Sequence, residues 1–367
     1  MDDFPAPVPG PHRRRPRYRG THPRRFDEKY KEHDPERYAD TVARVLASGK
    51  TPAGAHRPIL VAEILEVLAP RPGELAVDAT LGYGGHAREI LPRLQPGGKL
   101  IGLDVDPIEL PKTEARLRAL GFGPDQFVAR RSNFAGLPRV LAAVAAVCDR
   151  PENIDDSPQS QTAAAGADMI LADLGVSSMQ LDDPARGFSV KLEGPLDLRM
   201  NPQRGRSAAS LLEKIKPDIL ATLLAENADE PYADVLAPAL AGKAFASTTA
   251  LASAIRAVLP RMGREAGDLS IRRVFQALRI AVNDEFSALD AFLRNLPACL
   301  SPGGRVAILT FHSGEDRRVK KAFAAGLADG FYADIAREVI RPAAEERHAN
   351  PRSASAKLRW ARRAGPS

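Results

Sequence analysis

Four short apolar runs, each closing on an acid or an amide and separated by stretches with helical spacing, constrain this chain more than any other feature. Glu74 to Asp78, Lys99 to Leu103 (leading to Asp104 and Asp106), Gln126 to Arg130 (near Asn133 and Phe134) and Asp168 to Ala172 (leading to Asp173) read as strands. Ahead of the first, Ile59, Leu60, Ile64, Leu65 and Leu68 recur at helical spacing. Strands that alternate with helices predict parallel βαβ units, and therefore an α/β fold with a mostly parallel sheet. In such sheets ligands bind beyond the carboxyl ends of the strands, where all of these acids fall.

The next clear strand, Arg305 to Thr310, comes more than 130 residues after Asp173, whereas one crossover needs only about 30. A segment is therefore inserted. Ala/Leu-rich helical periodicity over residues 205–260 predicts a small helical domain on the rim of the sheet. Ser270 to Leu296 follows as the crossover helix, and residues near 331–340 and 355–361 close the sheet. The expected organisation is a basic extension (1–55), a first core segment (56–183), an inserted helical domain (184–268) and a second core segment with a basic tail (269–367). Residues 150–166 lack a large apolar pattern and read as a flexible surface insertion.

With 52 Lys+Arg against 46 Asp+Glu, the net charge of +6 suits a polyanionic partner. Seven arginines, Arg13, Arg14, Arg15, Arg17, Arg19, Arg24 and Arg25, stand together with no acid between them, in a Pro- and Gly-rich tail expected to be disordered alone and to touch phosphates. Asp2, Asp3 and the prolines spoil a transit-peptide helix. No apolar run approaches the roughly 18 to 20 residues of a membrane span, and no signal-peptide core is present, so the expected location is cytoplasmic, away from membranes. Cys148 and Cys299 stand in no metal-ligand spacing, which argues against metal and redox chemistry.

The turn Asp78-Ala-Thr-Leu-Gly82-Tyr-Gly84-Gly85-His86-Ala87 joins the first strand to a helix and implies close backbone approach to a ligand. By spacing, Gly82, Gly84 and Ala87 satisfy a dinucleotide fingerprint, and Asp104 could hold the ribose of a nicotinamide cofactor. Asp78 tips the balance. An acid beside the turn suits a ligand bearing an ammonium, such as the amino-acid end of S-adenosylmethionine, and disfavours a pyrophosphate. Asp104 would then accept from ribose hydroxyls, and Phe134 would pack an adenine face or simply the core. A nicotinamide-dependent oxidoreductase and a catalytically silent RNA-binding or assembly protein remain the alternatives.

A second constellation, Leu171-Ala-Asp173-Leu-Gly175-Val-Ser177-Ser178-Met-Gln180-Leu-Asp182-Asp183, continues into Arg186-Gly-Phe-Ser189 and Gly194-Pro-Leu-Asp197-Leu-Arg199-Met200. Polar and turn residues after an apolar strand mark an active-site rim. These segments, with His56-Arg-Pro-Ile-Leu, Gly84-Gly85-His86, Phe275-Gln-Ala-Leu-Arg279-Ile, Asn283-Asp-Glu285, Thr310-Phe-His-Ser313, Glu315-Asp-Arg317, Asn350-Pro-Arg-Ser353 and Lys357-Leu-Arg359, resemble the MraW (RsmH) family. That family comprises bacterial 16S ribosomal RNA cytosine-N4 methyltransferases. The resemblance runs in order from His56 to about Arg363 and implies a class I, Rossmann-like S-adenosylmethionine-dependent fold whose inserted helical domain serves RNA recognition.

It further implies methylation of N4 of cytosine 1402 of 16S rRNA in the small ribosomal subunit. The implied cofactor contacts are Gly84, Gly85, His86, Asp104, Phe134, Asp173 and Gln180. Tyr83 departs from the family's frequent Arg and Gly314 from its usual Leu, while residues 1–55 and 150–166 read as additional to the family pattern. The exocyclic N4 is a poor nucleophile, so an acceptor must orient the amine and take a proton. Asp173 is the first candidate for that catalytic role. His86 is expected to act through local backbone geometry, and His312, Ser313, Glu315 and Asp316 to meet the base or backbone, or merely to brace a loop near Arg317. Arg186, Arg199, Arg272, Arg273, Arg279, Lys357 and Arg359 are candidates for RNA phosphates or for ion-paired faces. The oligomeric state is open, a homodimer included.

Overall fold

The computed structural model describes residues 58–148, 166–259 and 263–365. The Arg13–Arg25 cluster and nearly all of the 150–166 insertion lie outside them. All seven expected strands form: β1 (Leu75–Asp78), β2 (Lys99–Asp104), β3 (Phe127–Arg131), β4 (Ala167–Asp173), β5 (Leu300–Thr310), β6 (Tyr332–Ile335) and β7 (Lys357–Arg363). They make one sheet in the order β3-β2-β1-β4-β5-β7-β6. The first five are mutually parallel, and β7 pairs antiparallel with both β5 and β6. This is the class I methyltransferase arrangement, with helices on both faces.

Alternation along the strands splits the core between the two faces. On one, Val77, Ile101, Ile170, Val306 and Ile308 pack with α4 (Leu137–Cys148), α11 (Glu285–Cys299) and α12 (Ser313–Ala328). On the other, Ala76, Leu100, Met169 and Ala307 meet α1 (Val61–Leu68), α2 (Gly85–Ile90) and α3 (Glu109–Ala119). At the amino ends of the strands, Arg305 makes a two-pronged ion pair with Glu74 at 2.7 and 2.8 Å. The carboxyl ends are thereby left free to carry loops.

After β4 comes the short α5 (Ser178–Asp182); the insertion contains α6 (Ala208–Lys214), α7 (Pro217–Ala228), α8 (Ala233–Leu240) and α9 (Thr248–Val258), with a core of its own around Leu212, Leu224, Leu236 and Ile255. The single crossover helix expected over Ser270–Leu296 is instead two. The first, α10 (Arg264–Asn283), gives Ile271, Val274, Phe275 and Leu278 to the insertion's core, and α11 packs on the sheet. Asp284 separates them in a left-handed conformation (φ 51°). A continuous apolar periodicity conceals this break because both halves are amphipathic, each toward a different core. Among the described residues no helix is long and apolar enough to cross a membrane.

Candidate active site

The carboxyl ends of β1, β2, β4 and β5 are laced together before any side chain of the site is placed. Ala79 N–H donates to Leu171 O, Leu81 N–H to Leu103 O and Leu174 N–H to Leu309 O. Asp173 N–H donates to the Thr80 hydroxyl at 2.6 Å. Above this seam lies a cavity of about 340 Å³, within the range of small-molecule sites. Gly85, His86, Asp104, Phe134, Asp173 and Gln180 all line it. Gly84 does not, and its glycine requirement has another origin: it holds φ 80°, and a Cβ there would meet Thr113 Cγ2 at 2.9 Å. A Cβ on Gly85 would likewise press on Pro58 at 3.1 Å. Both glycines are thus required by the packing of the turn, and Gly85 also lines the cavity.

Asp78 stands outside the lining of the cavity. Its carboxyl does not face the cavity but is buried beneath the turn, accepting the Thr80 N–H at 3.2 Å. Burial pushes its pKa up to about 7. Asp104 holds the turn from the neighbouring strand, accepting the N–H of Gly82 at 2.8 Å on one oxygen and that of Asp106 at 2.8 Å on the other. Burial pushes its pKa up to about 6, with those amide hydrogen bonds opposing the rise. Each oxygen keeps a lone pair for a ligand hydroxyl. Phe134 is half-buried, edge-on to Phe292 with centroids 5.4 Å apart, so it packs on the core as well as lining the cavity.

His86 brings Nε2 to 3.5 Å from Asp173 Oδ2, beyond a hydrogen bond, and that nitrogen is buried without a partner. Gln180 closes a capping box with Ser177 and spends its amide N–H on Asp106 Oδ2 at 2.8 Å. Asp106 is fully buried and also receives Arg186 Nη1 at 2.7 Å, while Arg186 Nη2 reaches the carbonyls of Arg199 and Met200. Asn283 continues this polar chain, accepting from Met200 N–H and donating to Leu198 O. A connected series of hydrogen bonds thus ties the β2 tip to the insertion and to the end of α10.

Several candidate phosphate contacts prove to be internal partners. Arg186 is buried on Asp106, Arg279 is half-buried and clamps Glu285 through Nε and Nη2 at 2.8 Å each, and Arg199 pairs with Asp197 at 2.6 Å. Lys357 and Arg359 share Asp316, at 3.1 and 2.6 Å. Arg272 is exposed and Arg273 half-buried, so these two keep the expected role open. Ser313 is exposed and donates to Asp229 at 3.0 Å.

The far wall of the cavity is made by residues singled out only as parts of longer motifs, Asn283, Glu285 and Phe311, together with Glu315 and Arg352. Arg352 reaches back to Asp182 at 2.7 Å. Glu285, His312 and Glu315 bring possible ligand atoms within 4.8 Å of one another, but both Glu285 oxygens are taken by Arg279. The two family departures also have local reasons. A Cβ on Gly314 would lie 2.6 Å from Phe286 Cζ, leaving no room for Leu. The Tyr83 ring lies under the Arg116 guanidinium, 3.7 Å from its centroid.

Residues 53–364 match the MraW methylase family. The chain is 49% identical over 359 residues to "Ribosomal RNA small subunit methyltransferase H 1" of Lachnoclostridium phytofermentans, covering 95% of this chain and 93% of that protein. It is 43% identical to "Ribosomal RNA small subunit methyltransferase H" of Halorhodospira halophila, covering 75% of this chain and 80% of that protein. The first alignment leaves out fewer residues than the 55 of the N-terminal extension. Much of the extension is therefore shared with that relative and is not additional to it. Among solved structures, a putative rRNA methylase from Clostridium thermocellum superposes with a TM-score of 0.36 at 11% identity, covering 82% of this chain and 94% of that one. With the family matched over most of its length, the chain belongs to the MraW methylase family.

Proposed function

We propose that this protein methylates the exocyclic N4 of cytosine 1402 in 16S rRNA of the small ribosomal subunit, with S-adenosylmethionine as methyl donor. One observation carries the reading: a single cavity at the strand tips brings together a ribose acceptor (Asp104), an aromatic edge (Phe134) and a carboxylate at the tip of β4 (Asp173). These residues suit the cofactor, with hydroxyls for Asp104 and an adenine for Phe134 to pack. Its sulfonium supplies an electrophilic methyl group when bound.

The protein's own part is alignment and proton handling. Asp173, held by its backbone N–H on Thr80, orients the N4 amine and takes the proton that leaves as the new C–N bond forms. His86, 3.5 Å away, steadies that carboxylate. Gln180 and Arg186, both bound to Asp106, fix the loop after β4 relative to the β2 tip. The target cytidine reaches the cavity flipped out of its stack, with the insertion gripping the surrounding RNA. Arg272, Arg273 and the Arg13–Arg25 cluster supply phosphate contacts. Removing the charge of that cluster should lower RNA affinity and flatten its salt dependence, by about one unit of slope for each phosphate no longer neutralised; an unchanged slope would refute that role.

The test is methyl transfer from labelled S-adenosylmethionine to small subunits lacking the modification, with the labelled nucleoside identified and mapped by mass spectrometry. N4-methylcytidine at 1402 is the expected product. Label at another base or position would sink the substrate assignment, and absence of label despite cofactor binding would favour a silent scaffold.

A further inference from the structure

The two ends of the cavity differ in chemistry. The end formed by the Gly82–Gly85 turn, Asp104 and Phe134 is taken by the cofactor in the reading above, which leaves the wall of Glu285, Phe311 and Glu315 for the acceptor base. This wall adjoins the loop after Asp173: a Cβ on Gly175 would lie 3.9 Å from Phe311 Cδ2 and 4.0 Å from Arg279 Nη1.

Glu315 is the distinctive group here. It is 3% exposed yet lines the cavity. One carboxylate oxygen accepts the Phe311 N–H at 2.9 Å and the other lies 3.1 Å from His312 Nε2. Burial alone would raise its pKa, but the hydrogen bond and charge of His312, the charge of Arg279 and the Phe311 N–H outweigh burial and hold it below the usual carboxylate range. An ionised carboxylate only accepts hydrogen bonds. It therefore welcomes an exocyclic amine and repels a carbonyl at the same place, which is the difference between cytosine N4 and uracil O4. Glu285 cannot play this part as freely, because Arg279 engages both its oxygens.

We infer that Glu315 is the residue that selects the target base, its carboxylate accepting a hydrogen bond from the N4 amine of cytosine while Phe311 packs beside the ring and the Glu285–Arg279 pair stiffens the wall. The inference rests on the reading of the site as a cytosine-N4 methyltransferase. It gives the second N–H of the amine an acceptor, beside Asp173, which takes the proton that leaves.

Glu315→Gln tests it, because the amide keeps the size and one acceptor but can also donate to a carbonyl. Small subunits bearing cytidine or uridine at the target position would compete for enzyme loaded with S-adenosylhomocysteine. Wild type should prefer cytidine at least about tenfold, and the variant should bind the two about equally. In turnover, kcat should fall about 100-fold while the cofactor Kd stays within about twofold. A cytidine preference and kcat equal to wild type would overturn the inference. So would loss of cofactor affinity together with turnover in both Glu315→Gln and Glu285→Gln, which would make the wall a structural support. If wild type itself transfers no methyl to cytosine N4, the reading of the site fails, and the selection proposed for Glu315 falls with it.

Discussion

The two sides of the site treat their acids in opposite ways. At the strand tips, Asp104 on the cavity wall and Asp78 outside it have, among the described residues, no basic side chain bonded to them, and burial pushes their pKa values up to about 6 and about 7. On the far wall and just behind it, His312 and Arg279 hold the buried Glu315, and Arg359 and Lys357 the half-buried Asp316, below the usual range. Desolvation acts on every buried carboxyl, and its outcome depends on whether a cation travels with it. The first wall is tuned to accept from hydroxyls with little fixed charge, and the second to present charge to a base.

The largest effect should come from the group between the walls. Asp173→Asn should lower methyl transfer about 10²- to 10⁴-fold, the usual worth of a general base, while calorimetry shows cofactor affinity nearly kept. Arg186→Ala would next strand the buried Asp106 carboxylate. Side-chain exposures of 8% and 1% leave no solvent to screen it, so denaturant unfolding should show a loss of about 3–5 kcal/mol. Asp104→Ala should cost the strand-tip wall its ribose acceptor and weaken cofactor binding by about 1.5–3 kcal/mol, seen by calorimetry. Unaltered affinity would remove Asp104 from the cofactor site.

A pH series sharpens the contrast further. Acids with raised pKa favour the folded state below their ordinary value of 3.8, and that contribution is lost as pH rises through about 6 to 7. Glu315 and Asp316 act in the opposite sense, their contribution being present above the ordinary carboxylate range and lost as pH falls. Thermal unfolding of the ligand-free protein should therefore show a decline between about pH 4 and 7, the window of these shifts, that Asp78→Asn flattens. The smallest effect is expected at Lys357→Ala, where Arg359 remains on Asp316 and the loss should stay under about 1 kcal/mol.

The same comparison explains what the sequence discloses. Residues of the strand-tip wall lie within a few positions of a strand end, so apolar runs followed by Asp104, Asn133–Phe134 and Asp173 locate them directly. Glycine patterns are less informative about purpose: Gly84 answers to Thr113, more than twenty residues along the chain. The far wall is assembled from the α10–α11 break, the loop after β5 and the segment before β7. Its members meet only once the chain is folded, and the break at Asp284 carries no glycine or proline to announce it. Which of the two readings of the arginines applies is hidden for a related reason. Arg186 and Arg279 are each matched to an acid 80 and 6 residues away, and sequence alone does not reveal such pairing.

The most direct test of this division measures cofactor affinity and single-turnover methyl transfer side by side in Asp104→Ala and Asp173→Ala. Asp104→Ala should lose affinity but, once saturated, transfer methyl within about tenfold of wild type. Asp173→Ala should bind the cofactor well and scarcely transfer it. Equal loss of binding and transfer in both variants would contradict the separation of cofactor and acceptor roles on which the account rests.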